Sequence, residues 1–556
     1  MIGKHRQSYH NLLGSSAKVW LTMGIVFVVG LVVLLPRVFG PPSLFDEGFI
    51  VSGAMMIRRG WLPITDFFVI YGPGQYYLTA GLFGLFGEDL AVLRLLHVVT
   101  LALLGTAVAG CAFTLSQRRV AWLAAVGAAY VLMAVFALPN AGYPAVPAVL
   151  LLVCSALAFG RWFTSGSDRA LLTASLLVGL AGVLRWDFGL YGVFAHTVAL
   201  GMVCLMRRSG AKRAMQWQAC LLGPWFIITM MTFGPLIALG DAKRWFDEVP
   251  KFAVLEFNTW RGTDFVQPQL YSFVNAWGKR DFATMAFAIS SLAIAAAPFV
   301  LAPAAALVAA SRLRRTMATP AGNTDVLALV LALLSLCLLN QMRVRPHLIQ
   351  GFPAVATCLP LAAYLWQCLP ALHGATRLFK PALPWVAAGL IVLAAYTGQD
   401  KLRSVYGGQR ATVDLAKGSS TRVGTSAASR AELNEYAALV RHVRATTADG
   451  EPIFSGVSDT SRLFFNDAML YFLTDRPSAT RWIEMEPGLA NTEAAQLEIV
   501  DALRRKRVTT VVQWSRLSDE PNATSRSNGV HVLDEFVRAN YAESRRFGAY
   551  TVLVRR

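Results

Sequence analysis

Apolar runs of about 17–25 residues, nearly free of charge, recur along the first two thirds of the chain and stop near residue 400. That is the length a helix needs to cross a hydrocarbon core of about 30 Å at 1.5 Å per residue. The runs predict spans near 19–37, 89–112, 121–138, 144–160, 170–184, 188–206, 216–240, 282–310, 325–340, 349–369 and 382–397. The expected fold class is therefore a polytopic α-helical membrane protein with about eleven transmembrane helices. No small-residue cleavage site follows the first run, so Trp20–Pro36 is expected to stay as a span.

Two polar segments interrupt the runs, residues 39–88 and 241–281. Within the first, Glu47–Arg59 mixes apolar Phe49, Ile50, Ala54, Met55 and Ile57 with small residues, and predicts an amphipathic helix at the membrane surface. Trp61, Phe67, Phe68, Tyr71, Tyr76 and Tyr77 favour the same depth. A second short helix is expected after the turn Tyr71-Gly72-Pro73-Gly74.

After residue 400 the pattern changes. Lys401–Ser429 is rich in Gly, Ser, Thr and charge, and reads as a linker with an ordered approach segment. Ala431–Val443 and Ala494–Arg505 have helical periodicity, whereas Glu451–Ser455, Arg507–Val512 and Gly548–Val554 read as strands. Strands alternating with helices predict a small C-terminal α/β soluble domain over 400–556, beside a membrane domain over 1–399. Asp449-Gly450 and Tyr406-Gly407-Gly408 lack the spacing of a nucleotide-binding loop.

Composition reinforces this division. Of 556 residues, 55% are hydrophobic, and the net charge is +18 from 51 basic and 33 acidic residues. The excess charge gathers in short loops: Arg118–Arg119; Arg161 and Arg169; Arg207, Arg208, Lys212 and Arg213; Arg312, Arg314 and Arg315; Arg377 and Lys380. An alternating topology puts all five on one side, the cytosolic one, and so places both long loops and the tail outside. This use of charge, without any helix-turn-helix, zinc-finger or RNA-binding signature, argues against nucleic acid as a partner. The seven cysteines, ending at Cys368, all lie in apolar segments without CxxC spacing, so the tail needs no disulfide or cysteine-bound metal.

The candidate chemistry gathers on the outer face. Asp46-Glu47 follows the first span; it either caps the next helix and favours its positive end, or supplies a general base. Tyr71 and Gly72 form a turn that also lets a sugar or headgroup approach the backbone. Arg185-Trp186-Asp187 interrupts an apolar stretch, where charges pair with each other or line a polar cavity. Arg343, Arg345 and His347 stand outside against the charge bias, and offer either phosphate contacts or partners for Asp241, Glu248 or Glu256. The 241–281 loop interleaves basic and aromatic residues, suited to anionic headgroups or a glycan. In the tail, Asn466-Asp467 and Tyr471–Arg476 stand out, and Asn522-Ala523-Thr524 fits the glycosylation sequon.

The stretch SLFDEGFIVSGAMMIRRGWLPITDFFVIYGPGQYY, with the spans, basic inner loops and soluble tail around it, resembles the GT-C superfamily of polyprenyl-phosphate-sugar-dependent glycosyltransferases. The likeness is greatest to bacterial relatives of protein mannosyltransferases and lipid A aminoarabinose transferases, and it extends over nearly the whole chain. It implies a GT-C-like fold in the bacterial cytoplasmic membrane, with the tail on the periplasmic side. It implies Asp46 as the catalytic carboxylate, with Glu47 beside it, and a polyprenyl-phosphate sugar as donor. Arg343, Arg345, His347 and Arg185 would face the donor phosphate; Tyr71, Gly72, Trp186 and Asp187 would face substrate. The acceptor would be a hydroxyl of a glycan, glycolipid or protein, and membrane lipids the surroundings. The second acid that several relatives carry is missing from PNAGYPAVP in the next outer loop. No metal cluster is evident, though a divalent ion could assist the phosphate. A glycolipid transporter or flippase, or a noncatalytic envelope-assembly protein, would share the spans and basic contacts.

Overall fold

A computed structural model describes residues 2–40, 42–137, 141–263, 274–275, 277–278, 281–316, 321–346, 348–368, 411–414, 422–425, 427–518 and 520–556. The membrane half opens with α1 (Ile2–Leu34), then α2 (Asp46–Arg58), α3 (Gly74–Phe86), α4 (Leu90–Leu115), α5 (Val120–Ala137), α6 (Ala145–Ser165), α7 (Asp168–Leu184), α8 (Trp186–Met206) and α9 (Ala211–Leu239). After α9 come the short helices Ala242–Phe246, Phe252–Leu255 and Phe257–Arg261, with a π-helical turn at Asp247–Lys251 joining the first two. Long helices Phe282–Thr316, Ala321–Leu338 and Leu348–Cys368 follow, with the short Asn340–Val344 between the last two.

Among the described residues, eight helices are long and apolar enough to cross a membrane. The expected spans near 121–138 and 170–184 are also helices, as α5 and α7. The expected span 382–397 lies outside the described residues. One continuous apolar core joins α4, α5, α6, α7 and α8 to the helices Ala321–Leu338 and Leu348–Cys368. Large apolar side chains such as Phe226, Ile227 and Met231 on α9 face outward, as a lipid solvent permits.

The C-terminal part contains a four-stranded sheet in the order β3-β4-β6-β5, with β3 at Phe454–Val457, β4 at Thr510–Trp514, β5 at Tyr541–Phe547 and β6 at Tyr550–Arg555. β3 and β4 are parallel, and the helix Glu493–Arg505 lies between them in the chain, as a parallel pair requires. The β5–β6 hairpin adds the antiparallel edge. Within the expected linker, Ala411–Asp414 and Arg422–Thr425 pair as a small hairpin, β1 and β2. This hairpin is an ordered segment within the stretch read as a linker with an ordered approach.

The expectation of a surface-lying α2 is corrected. Residues 47–56 are all buried, because α2 is covered by α3 on one side and by the C-terminal helix Met469–Thr474 on another. Gly48 permits this contact: a Cβ there would stand 2.4 Å from the Met469 backbone nitrogen. Ser52 Oγ donates to the Ala468 carbonyl at 2.7 Å, and the Met469 N–H donates to the Leu44 carbonyl at 3.0 Å. Burying Phe49, Ile50, Val51, Met55 and Met56 contributes about 1.5–3 kcal/mol each. That apolar face is satisfied by protein, so the sequence's amphipathic signal marked a docking surface between the two halves.

Candidate functional site

The start of α2 is shaped by a reciprocal cap. Ser43 Oγ accepts from the Asp46 N–H, and Glu47 reaches back to accept from the Ser43 N–H at 3.0 Å. Ser43 thereby takes the capping role that the sequence offered to Asp46. The Asp46 carboxylate, which accepts from the Ser43 hydroxyl at 3.2 Å, stands on the wall of a cavity of about 1050 Å³.

That cavity lies where the loops after α1 and α9 meet the C-terminal domain. Pro42–Asp46, Ile70 and Tyr71 supply one wall, and Tyr143 with the corner between α7 and α8 supplies the next. Val254, Phe257 and Arg261 come from the segment after α9, and Arg343, Val344 and Arg345 from the segment before Leu348–Cys368. The C-terminal domain closes it with Phe464, Phe465, Glu484, Glu486, Trp514 and Arg516. Asp46, Tyr71, Arg185, Trp186, Asp187, Arg343 and Arg345 are thus brought together from distant parts of the sequence. His347 lies outside the described residues.

Two expected site residues are placed elsewhere. Glu47 points away from the cavity into a bidentate pair with Arg94 of α4, and both are buried. Gly72 makes its close approach to helix backbone: its N–H donates to the Leu184 carbonyl at 3.2 Å, and a Cβ would meet the Val183 carbonyl oxygen at 2.2 Å. The turn docks on the end of α7, with neighbouring Tyr71 on the cavity wall.

The arginines differ in how far they are already engaged. Arg185 donates to both oxygens of Asp187 at 2.9 and 3.0 Å, to Gln341 at 2.7 Å and to the Tyr143 hydroxyl at 2.9 Å. Its guanidinium also lies 4.7 Å from the Tyr71 ring centre, so the Arg185–Asp187 unit is a built polar corner. Trp186 donates its indole N–H to the Ile70 carbonyl at 3.1 Å. Arg345 pairs with Glu520 at 2.6 Å and donates to the Arg261 carbonyl. Arg343 is exposed and donates to the Asn340 side chain at 3.1 Å.

Two carboxylates of the C-terminal domain join the cavity beyond those expected from the sequence. Glu486 is paired bidentately with buried Arg261, at 2.7 and 3.1 Å. Glu484 is only 2% exposed, and its Oε2 has no hydrogen-bond partner. Burial, then the negative charge of Glu486, push the Glu484 carboxyl well above the usual carboxylate range; Arg261 pulls the other way and Asp46 adds to the rise. A neutral carboxyl on a cavity wall is a hydrogen-bond donor where an ionised one would only accept. The sequence signal for them is thin: two glutamates two residues apart in RWIEMEP, with nothing to tie them to Asp46.

Fold and site together define a multi-pass membrane protein whose polar cavity is built jointly by loops of its membrane half and by its C-terminal domain. No family model matches the sequence, and no curated protein matches it. Among solved structures, ArnT from Cupriavidus metallidurans in the apo state aligns over 97% of this chain and 98% of its own, at 14% identity and a TM-score of 0.49. The same protein bound to undecaprenyl phosphate aligns over 96% and 97%, at 14% identity and a TM-score of 0.45. At this identity residue roles do not transfer.

Proposed function

We propose that this chain is a GT-C-type membrane glycosyltransferase that moves a sugar from a polyprenyl-phosphate donor to a hydroxyl acceptor, with inversion. The observation that carries the reading is a single cavity shared by Asp46, the Arg343 and Arg345 pair, and the buried Glu484 carboxyl. Apolar Leu190, Val254 and Ile349, which also line the cavity, suit the isoprenoid end of such a donor.

In the proposed reaction Asp46 accepts the proton of the acceptor hydroxyl as that oxygen attacks the anomeric carbon. The new carbon–oxygen bond forms while the bond from the anomeric carbon to the phosphate oxygen breaks. The electron pair leaves with polyprenyl phosphate, a leaving group that needs no separate acid. Arg343 and Arg345 meet the charge on the departing phosphate. Neutral Glu484 donates a hydrogen bond to an oxygen of the bound sugar. Asp187 and Glu486 already hold arginines. EDTA treatment reads whether turnover requires a divalent ion.

The test does not depend on which sugar is carried. A strain lacking this protein is expected to accumulate a polyprenyl-phosphate sugar, detectable by mass spectrometry of its lipids. The wild-type protein should clear it and Asp46→Asn should not. Unchanged lipid-linked sugars in the deletion strain would contradict the assignment.

A further inference from the structure

Arg94 is a lone arginine in the apolar helix α4, with its side chain 4% exposed. A charge so placed needs a partner, and it has an unusually full set. Nε and Nη2 donate to the two oxygens of Glu47 at 2.9 and 2.7 Å, while Nη1 donates to the Val38 and Gly40 carbonyls at 2.9 and 2.7 Å. One guanidinium therefore ties α4 to the end of the first span and to the first turn of α2. Glu47 passes this anchorage on through the Ser43 N–H, and the Ser43 hydroxyl contacts Asp46 at both its N–H and its Oδ2, each 3.2 Å away.

We propose that Arg94, Glu47 and Ser43 are positioning residues that hold the Asp46 carboxylate in its direction of attack; this rests on the glycosyl-transfer reading. Arg94 and Glu47 are not among the residues that line the cavity, and they act through Ser43. The two sides of the α2 start are thus fixed by different means, Arg94 from the membrane side and Met469 backbone against Gly48 from the C-terminal domain. Displacing a reacting group by about 1 Å can lower turnover about 100-fold. If the buried ion pair served stability alone, breaking it would lower the unfolding temperature and leave turnover per folded molecule unchanged.

The test uses full-length protein in nanodiscs and the polyprenyl-phosphate sugar isolated from the deletion strain, with undecaprenyl phosphate as the binding probe. Ser43→Ala and Glu47→Gln should each lower kcat roughly 10–100-fold. Their KM for the donor and Kd for undecaprenyl phosphate should stay within about twofold of wild type. Ser43→Thr, which keeps the hydroxyl, should restore most of the turnover. If Glu47→Gln fails to fold, the Ser43→Ala and Ser43→Thr pair still decides. The proposal is overturned if Ser43→Ala turns over like wild type, if Ser43→Thr is as slow as Ser43→Ala, or if KM and Kd rise in step with the loss. Wild-type turnover in Asp46→Asn strikes the functional reading itself. An inactive Asp46→Asn beside a fully active Ser43→Ala strikes only the positioning role.

Discussion

Replacing Arg261 by Met removes one half of the buried pair that fastens the segment after α9 to the C-terminal domain. The side chains of Arg261 and Glu486 are 8% and 3% exposed, and two hydrogen bonds of 2.7 and 3.1 Å join them. Without Arg261, Glu486 is left uncompensated beside buried Glu484, whose Oε2 already lacks a partner. Stranding one charge of such a pair costs about 3–5 kcal/mol, which corresponds to a fall of roughly 6–20 °C in the unfolding temperature of a domain of this size. Replacing both members by apolar residues of similar volume removes the stranded charge, so Arg261→Met with Glu486→Met should recover most of the loss. Thermal unfolding of the purified protein in detergent, followed by differential scanning calorimetry, measures both. A single mutant as stable as wild type, or a double mutant no better than the single, would refute the reasoning.

Further expectations follow from the same geometry. Arg345→Gln should weaken undecaprenyl phosphate binding, and Arg343→Gln should do so independently; unchanged affinity in both ends the phosphate role. Burial pushes the Asp467 carboxyl up to about 7, although Tyr550 and the Leu470 N–H donate to it. Its folded value lies above that of an unfolded aspartate, about 3.9. Its contribution is therefore fully present below about pH 4 and is lost as the pH rises to about 7. Burial moves Glu484 in the same sense. Wild-type unfolding temperature should fall across that window, and Asp467→Asn should flatten part of the slope; an unchanged slope refutes the assignment. Reporters within 208–212 and 312–315 should be cytosolic and one after Arg556 external, and finding either loop on the same side as Arg556 overturns the topology.

Much of the membrane half was legible because a lipid solvent imposes a simple code. Every expected span within the described residues is a helix, since a buried backbone in hydrocarbon has to satisfy itself. The helices Ala427–Thr446 and Glu493–Arg505 and strands β3, β4 and β6 were visible through ordinary periodicity. Strand β5 was not: its sequence YAESRRF carries exposed charges along a sheet edge, a pattern that discourages further pairing and hides the strand. The site was half legible. Asp46, Arg185 and Arg345 stood out as charges against an apolar background, but Glu484 and Trp514 reach the cavity from the far end of the chain, through a tertiary contact no local pattern encodes. Glu47 was read with Asp46 because they are neighbours in sequence, whereas the helix turns them apart. Its partner carried a signal of its own, since Arg94 is the one permanently charged residue in the run LAVLRLLHVV.

The central claim is that Asp46 takes the proton from the acceptor. Asp46→Asn keeps the size of the side chain and its ability to accept from Ser43, but removes its basicity. The decisive measurement is turnover by the purified, folded variant in nanodiscs at saturating donor, using the lipid-linked sugar isolated from the deletion strain. The account predicts a fall of roughly 10²–10⁴-fold with undecaprenyl phosphate affinity retained. Turnover near the wild-type rate would contradict it.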